Sequence, residues 1–348
     1  MNADIRCACG HPDLSANTNR QFLLARVPDG PLTRDCFRLA IGAVPEPKDG
    51  QVLLKTRFMS VDAANRAWMQ GATYRDALGA GTVMAARGVG EVVDSRHPDF
   101  EAGDLAFGDC GWQEYAAVPG TSLMKQPQVT PLSHLLSVYG VSGLTAYFGL
   151  TKVGLAKAGE TVVISAAAGA VGTFAGQIAK ILDCRVVGIA GGGEKCRWLT
   201  DELGYDAAVD YKSGPIGDTL KAACPDGIDV YFDNVGGNIL ETALSQMKMH
   251  GRVICCGVVS TYDTASQPAH GPRGVPFLFV VKRLTMRGFI VSDFFGRRDE
   301  ALIQLRSWVE AGQLKVIEDI VEGFDSLPDA LIGLLHGQNR GKRMVRIG

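Results

Sequence analysis

The first part of the chain contains short runs in which hydrophobic and polar residues alternate, the period typical of half-buried β-strands. Turn residues such as Pro45 and Gly50 separate these runs, and the turn Glu101-Ala-Gly-Asp104 precedes a further one. We predict an irregular β domain in this region. Its predicted strands are Gln21–Arg26, Phe37–Ile41, Gln51–Ser60 and Gly88–Asp94.

From about Leu132 the pattern changes to hydrophobic strands that alternate with helices, which is typical of an α/β fold with a doubly wound parallel sheet. After about Asp299 come a helix, the strand Val316–Glu322, a second helix and the strand Arg343–Ile347, a tail that we expect to return to the first domain. The six strands before it match two mononucleotide-binding halves. They are Thr161–Ser165, Cys184–Ala190, Asp206–Asp210, Ile228–Asp233, Arg252–Gly257 and Leu284–Ile290.

The overall composition is that of an ordinary globular protein. A chain of 348 residues exceeds what one hydrophobic core usually organises, so we expect two domains. The net charge of −2 gives no electrostatic reason to expect nucleic acid or an anionic membrane as a partner. The apolar run Val275–Val281 is too short to span a bilayer. Charges such as Asp4 and Arg6 interrupt the N-terminal segment, so we do not expect a signal peptide there. We therefore expect a cytoplasmic protein.

The nine cysteines are an odd number without a repeating spacing, which favours reduced thiols over a disulfide framework. Cys255 and Cys256 lie in an apolar run and are interpreted as small core residues. Cys7, Cys9 and His11 could together ligate zinc, but their polar, Asn-rich surroundings favour a frayed end.

The stretch from Thr161 to Gly172 carries the first chemical signal. A short β-branched run ends in small residues and glycines, after which Thr173–Leu182 has a helical pattern. Such a turn directs the free N–H groups and the positive dipole end of a helix towards a pyrophosphate. Glycines can also serve packing alone, and that alternative stays open. The turn residues predicted to bind a dinucleotide are Ala166, Gly169, Ala170, Val171 and Gly172.

The end of the next strand predicts which dinucleotide binds. Sites selective for NAD place a carboxylate there for the ribose hydroxyls, but here the strand is followed by three glycines from Gly191 and then by Lys195. A cation without a carboxylate favours a ribose 2′-phosphate, and Tyr211 could contact the adenine or the phosphate. Alternatively, both side chains are simply solvent-exposed, and Glu194 would repel a phosphate if it pointed inward. We predict NADP(H).

Several ordered motifs together resemble the zinc-independent branch of the medium-chain dehydrogenase/reductase superfamily, the NADPH-dependent alkenal/enone double-bond reductases. The resemblance covers nearly all of the chain beyond the polar N-terminal segment, which we expect to be a flexible leader (1–18). It implies two domains, a GroES-like, partly open β-barrel catalytic domain (19–135 with 310–348) and a six-stranded Rossmann domain (136–309). The motifs are Ser60–Arg66, Gly140–Leu150, Ala166–Gly172, Ile189–Lys195, Tyr231–Gly237, Cys256–Tyr262 and Asn339–Lys342.

The same resemblance argues against a metal. Catalytic zinc needs three converging protein ligands, and the zinc-dependent enzymes take a cysteine from the region where this chain has Ser60–Arg66. That region has no cysteine, Ala85–Gly90 has no histidine, and Tyr139 stands where a later cysteine ligand falls. We expect no metal site.

Without a Lewis acid, the chemistry that fits best is hydride transfer to the β-carbon of an alkene conjugated to a carbonyl. The resemblance implies Tyr262 and Tyr74 as the candidate catalytic and substrate-binding residues, with a phenol stabilising the enolate oxygen. Tyr262 could instead only pack the cofactor, with a ribose hydroxyl or water as the proton donor, and Tyr74 could be an exposed loop residue. Relatives carry a tyrosine where this chain has Ala64, so either the pocket is roomier or Asn65 contacts the substrate instead.

The resemblance implies further cofactor contacts, in addition to the turn residues and to Gly191, Lys195 and Tyr211. They are Thr145, Asn234, Cys256, Gly257, Tyr262, Phe289, Val291 and Asn339. Of these, Thr145, Asn234 and Asn339 could instead be helix caps or turn residues.

The strand Leu284–Ile290 is expected at the edge of the parallel sheet, where an exposed edge needs a cover. The resemblance implies that it pairs with a second subunit, so we expect a homodimer. Three functions remain open. The first is an NADPH-dependent enone reductase, the second an NADPH quinone reductase, and the third a non-catalytic NADPH-binding structural or regulatory protein.

Overall fold

A computed structural model describes residues 18–263 and 275–348 of the chain. The predicted flexible leader, with Cys7, Cys9 and His11, therefore lies outside the described residues except for Thr18. So does the whole segment between Asp263 and Val275.

The N-terminal part is built mainly of strands, as the alternating pattern predicts. Its elements are β1 (Thr18–Leu24), β2 (Phe37–Ala43), β3 (Gln51–Ser60), α1 (Ala64–Gln70), β4 (Arg87–Ser95), β5 (Leu105–Asp109), β6 (Tyr115–Pro119) and β7 (Leu123–Gln126).

The remainder alternates helices with strands. Its elements are α2 (Val141–Phe148), β8 (Thr161–Ser165), α3 (Ala170–Ile181), β9 (Arg185–Ala190), α4 (Gly193–Leu203), β10 (Ala207–Asp210), α5 (Gly217–Ala223), β11 (Ile228–Asp233), α6 (Gly237–Gln246), β12 (Met247–Cys255), α7 (Val275–Lys282), β13 (Thr285–Gly288), α8 (Arg298–Glu310), β14 (Glu318–Glu322), α9 (Leu327–Leu335) and β15 (Lys342–Arg346).

Six parallel strands form one sheet in the order β10-β9-β8-β11-β12-β13. This is the strand order of a doubly wound dinucleotide-binding fold, with its switch point between β8 and β11. All five residues of β8 are buried, because helices cover both faces of the sheet. The predicted fold class is confirmed.

A second sheet has the order β14-β15-β3-β4-β5-β7, with β6 also paired to β3. Strand β15 runs antiparallel to β3, so the end of the chain enters the same sheet as the N-terminal strands. β1 and β2 form a separate antiparallel pair.

The two sheets share a hydrophobic core. Phe58 and Val89, from the second sheet, belong to the same buried cluster as Phe148 and Phe174, from the helices beside the parallel sheet. Close-packed cores resist deformation, so this cluster holds the two sheets at a fixed separation. The cleft between them is therefore a defined site.

Several predicted elements have other bounds in the structure, and strand β12 differs most, since it covers Met247–Cys255 instead of the predicted Arg252–Gly257. Helix α3 begins at Ala170, three residues before the predicted Thr173, because the turn passes directly into the helix after Gly169. Strand β13 covers only Thr285–Gly288 of the predicted Leu284–Ile290.

Candidate active site

A cavity of about 750 Å³ opens between the two sheets, at the carboxyl ends of the parallel strands. Crevices at this position are where doubly wound sheets bind ligands. Every predicted cofactor-binding residue lines it. They are Thr145, Ala166, Gly169, Ala170, Val171, Gly172, Gly191, Lys195, Tyr211, Asn234, Cys256, Gly257, Tyr262, Phe289, Val291 and Asn339.

The turn between β8 and α3 forms one wall and is shaped for a close ligand. Ala166 adopts a left-handed conformation with φ of 48°, which costs an alanine more than a glycine. A Cβ on Gly172 would lie 2.4 Å from the Ala166 carbonyl oxygen, so this turn closes only over glycine. The N-terminus of the twelve-residue α3 borders the cavity, with Gly169 as its cap. Its free N–H groups and dipole fit a pyrophosphate.

Lys195 lies at the same end of the cavity and is already held in place. Its Nζ donates hydrogen bonds to the carbonyl oxygens of Gly337 at 2.8 Å and Asn339 at 2.6 Å. Burial lowers the pKa of Lys195, and the nearby charge of Lys212 lowers it further. Lys212, which sequence reasoning missed, also lines the cavity. Two cations therefore face one end of the site.

Glu194 does not counteract these cations. Its carboxylate forms an ion pair with Arg340, and its side chain is 78% exposed. Glu194 is not among the residues that line the cavity, so its carboxylate is not placed to repel a phosphate bound there.

At the switch point, hydrogen bonds join the ends of β8 and β11. The Asn234 side-chain amide donates to the Ser165 carbonyl at 2.7 Å, and the Asn234 backbone N–H donates to the Ser165 hydroxyl at 2.8 Å. That hydroxyl in turn donates to Asp233 at 3.1 Å. Asn234, only 8% exposed, is therefore fixed where it lines the cavity.

Two phenols face the opposite half of the cavity. The Tyr262 hydroxyl accepts a hydrogen bond from the Val258 N–H at 3.4 Å, and burial raises the pKa of Tyr262. Tyr74 is 54% exposed and meets the indole of Trp68 edge to face at 6.2 Å between ring centres. Because Tyr262 stays protonated at neutral pH, it is a hydrogen-bond donor there.

The prediction for Asn65 needs correction. Asn65 is fully buried and is not among the residues that line the cavity. Its Nδ2 donates to the Ala85 carbonyl at 2.8 Å, and its Oδ1 accepts from the Asp62 N–H at 2.7 Å. Both polar groups thus bind the backbone, whereas its neighbour Ala64 does line the cavity.

Sequence reasoning also missed a buried ion pair beside the cavity, between Lys342 and Asp62. Lys342 is 1% exposed, and its Nζ donates to Asp62 at 2.6 Å and to the Val61 carbonyl at 3.0 Å. Burial is the largest single influence on Asp62 and raises its pKa, but the charge and hydrogen bond of Lys342, the hydrogen bond from Ser60 and the charge of Arg87 together outweigh it, so the pKa lies below its usual value. The sequence signal was the Gly341-Lys342 motif, which did not reveal the partner.

Within residues 18–263 and 275–348, no three His, Cys, Asp or Glu side chains lie close enough together to hold a metal ion. In the same ranges, no helix is both long and apolar enough to cross a membrane.

The two sheets and the cavity between them define a dinucleotide-binding protein of the dehydrogenase type. Residues 20–126 match the family described as the N-terminal domain of oxidoreductase, and residues 170–308 match the one described as zinc-binding dehydrogenase.

Known proteins resemble the chain over nearly its whole length. It is 44% identical to a putative NADP-dependent oxidoreductase, YfmJ, of Bacillus subtilis, over 95% of this chain and 98% of that protein. It is 40% identical to the NADPH-dependent curcumin reductase of Escherichia coli, over 94% and 97%. The crystal structure of CurA in complex with NADPH from Vibrio vulnificus superposes with a TM-score of 0.89 at 37% identity, covering 94% and 99%. The chain therefore belongs to the zinc-independent enone-reductase branch of the medium-chain dehydrogenase/reductase superfamily.

Proposed function

We propose that this protein reduces the carbon–carbon double bond of α,β-unsaturated ketones and aldehydes with NADPH. One observation carries the proposal: a single cavity joins the glycine turn and two lysines at one end to the protonated phenol of Tyr262 at the other. The relatives named for NADPH and for curcumin, itself a conjugated enone, support the same cofactor and substrate class.

The residues present fit the cofactor. The Gly169–Gly172 turn would hold the pyrophosphate, and Lys195, Lys212 and Tyr211 would surround the 2′-phosphate. Asn234 and Thr145 would lie along the ribose and nicotinamide. When bound, NADPH supplies the hydride that the β-carbon of the alkene accepts.

The protein has to stabilise the negative charge that this transfer puts on the substrate oxygen. Tyr262 donates a hydrogen bond to that oxygen, in a partly buried site where such a bond is strong. Tyr262 then relays a proton from solvent to the enolate, so that the enone, NADPH and one proton give the carbonyl compound saturated at the α- and β-carbons and NADP⁺. Tyr74, at the more exposed side of the cavity, is the second donor.

The experiment compares NADPH oxidation with an aliphatic enone, with a simple quinone and with no acceptor. We expect turnover with the enone, and a product saturated at the double bond but not reduced at the carbonyl. Turnover with the quinone alone would replace the proposal by a quinone reductase. Tight NADPH binding without oxidation across a broad enone panel would instead support a non-catalytic binding protein.

We also propose the domain division 19–135 with 310–348 and 136–309. It is supported by the antiparallel pairing of β15 with β3, which ties the tail to the N-terminal sheet.

A homodimer through the edge of the parallel sheet is a further proposal. Strand β13 pairs with β12 and ends the sheet. Phe277 and Val280 of the neighbouring α7 are 68% and 74% exposed, and Met286 of β13 is 38% exposed. An apolar surface beside an exposed edge fits a second copy of the chain.

A cytoplasmic location is proposed because all the cysteines within the described ranges are free thiols. They include Cys110, Cys184, Cys224, Cys255 and Cys256, which burial makes poorly reactive by raising each pKa.

A further inference from the structure

Arg87 is a cation in the substrate half of the cavity that the proposed reaction does not use. It is the first residue of β4 and lines the cavity together with Tyr74 and Tyr262. Its side chain is 28% exposed, so much of the guanidinium lies against protein. Keeping a cation in such a place costs free energy unless a partner compensates it.

The partner within the protein is weak. The Arg87 Nε lies 3.8 Å from Asp109, beyond hydrogen-bond distance, and that carboxylate is 51% exposed. Asp109 also pairs with Arg75, again at 3.8 Å. Across the parts of the chain that the structure describes, the Arg87 side chain makes no closer polar contact. One carboxylate therefore serves two guanidinium groups, and the donors of Arg87 remain available.

Asp62 also lies close enough to Arg87 for the guanidinium charge to help lower the pKa of Asp62, but both carboxylate oxygens have nearer partners. Asp62 lines the cavity, but one of its oxygens accepts from Lys342 at 2.6 Å and the other accepts from the Ser60 hydroxyl at 2.5 Å. The two phenols are neutral, since burial raises the pKa of both Tyr74 and Tyr262. Among the described residues, Arg87 is thus left without a carboxylate at hydrogen-bond distance.

Several of the described residues that line the cavity near Arg87 are apolar or aromatic. Trp68 is 5% exposed, and its ring packs between Tyr74, at 6.2 Å, and the guanidinium of Arg75, at 4.5 Å. Ala63, Ala64 and Val141 complete the surface. A largely apolar lining with a guanidinium beside it fits a hydrophobic chain that carries an anion.

We propose that the substrate is an enone or enal that carries a carboxylate, and that Arg87 binds this carboxylate. The planar guanidinium matches a carboxylate with two parallel hydrogen bonds. This inference rests on the proposed function and makes Arg87 the residue that selects acidic over neutral substrates.

The test uses methyl alkenones whose alkyl tail ends in a carboxylate, at several tail lengths, each beside its methyl ester. For the wild-type protein we expect kcat/KM to be about tenfold or more higher for the best acid than for its ester, the value of a charge-assisted pair. Equal values for acid and ester at every length would overturn the inference while leaving the enone reductase intact. Failure to reduce either member would reject the proposed function instead.

Two variants assign the preference to Arg87. In Arg87→Gln the preference for the acid should disappear, through a higher KM for the acid with the ester unchanged. Arg87→Lys should keep part of it. Arg96→Gln, at an exposed position after β4, makes the same change in net charge and should keep all of it. Equal losses for acid and ester in Arg87→Gln, with NADPH affinity intact, would mean that Arg87 does not read the carboxylate and would also overturn the inference.

Discussion

Arg66 and Asp263 join the two halves of the molecule across the cavity. The Arg66 Nε donates to the Asp263 carboxylate at 2.9 Å, and the Leu32 N–H donates to the same oxygen at 2.8 Å. The Arg66 side chain is 1% exposed, and its Nη2 donates to the Gly30 carbonyl at 2.8 Å. Asp263 directly follows Tyr262, so this contact holds the candidate catalytic phenol against the opposite sheet.

Asp263→Ala should therefore reduce both stability and turnover. Removing the carboxylate leaves a buried guanidinium without its charge partner, which costs on the order of 3 kcal/mol of unfolding free energy. We expect kcat to fall while the Kd for NADPH, measured by fluorescence, changes little, because the phosphate end of the cavity is untouched.

The matched control is Asp329→Ala, which breaks the ion pair with Arg34. Those two side chains are 64% and 54% exposed, so the loss should stay below about 1 kcal/mol. Denaturant unfolding compares the two variants, and equal stability losses would contradict the role given to Asp263.

Tyr262→Phe tests the proton donor. Without the hydroxyl, the oxygen of the substrate loses its donor, and we expect kcat to drop about 100-fold or more with NADPH affinity unchanged. Tyr74→Phe should have a smaller effect, since that side chain is 54% exposed. Stopped-flow hydride transfer provides the measurement. Near-normal turnover in Tyr262→Phe would instead assign the proton to the ribose hydroxyl or to water.

Lys195→Ala should weaken NADPH binding by about ten- to a hundredfold, the value of a charge-assisted hydrogen bond to the 2′-phosphate. NADH, which lacks that phosphate, should bind nearly as before. Titration calorimetry with both nucleotides gives the ratio, and Lys221→Ala, at an exposed position on α5, is the control. Equal losses for NADPH and NADH would remove this assignment.

The same lysine predicts a pH dependence. Burial and neighbouring cations lower the pKa of Lys195 below 10.5, so its charge is lost at a lower pH than that of an ordinary lysine. The affinity for 2′,5′-ADP should be full well below this pKa and fall as the pH rises through it. In Lys195→Arg the alkaline fall should disappear, because arginine keeps its proton. An unchanged fall in that variant would show that another group titrates.

Sequence reasoning located the cofactor end of the site because its signals are local. The turn Ala166–Gly172 and Lys195 each follow a strand, and strand ends meet at one edge of a parallel sheet. The Asn65 prediction was wrong because Ala64 and Asn65 are neighbours on a helix, where consecutive side chains point about 100° apart. Arg87 was missed because strand pairing, which brings it to the cavity, leaves no mark in the residues around it.

Gly172→Ala should destabilise the protein more than Gly169→Ala, because the turn is packed more tightly around Gly172. The Gly172 Cβ would lie 2.4 Å from the Ala166 oxygen and 2.7 Å from the Ala167 Cα, so the turn must shift at a cost of about 1–3 kcal/mol. The nearest atom to a Gly169 Cβ, again the Ala166 oxygen, is 3.1 Å away, which requires only a small adjustment. Thermal unfolding should show the larger loss for Gly172→Ala, and equal melting temperatures would contradict the close approach.

Phe277→Asp tests the proposed dimer. A carboxylate on the exposed face of α7 would be buried and unpaired in an interface with a second copy, so the variant should dissociate to monomers at micromolar concentration. Analytical ultracentrifugation of the wild-type protein and the variant measures this. Ile41→Asp, which replaces a side chain 52% exposed on β2 of the separate strand pair, should leave the dimer intact. A monomeric wild-type protein would exclude the interface, whereas a dimer that persists in Phe277→Asp would mean that the copies meet through another surface.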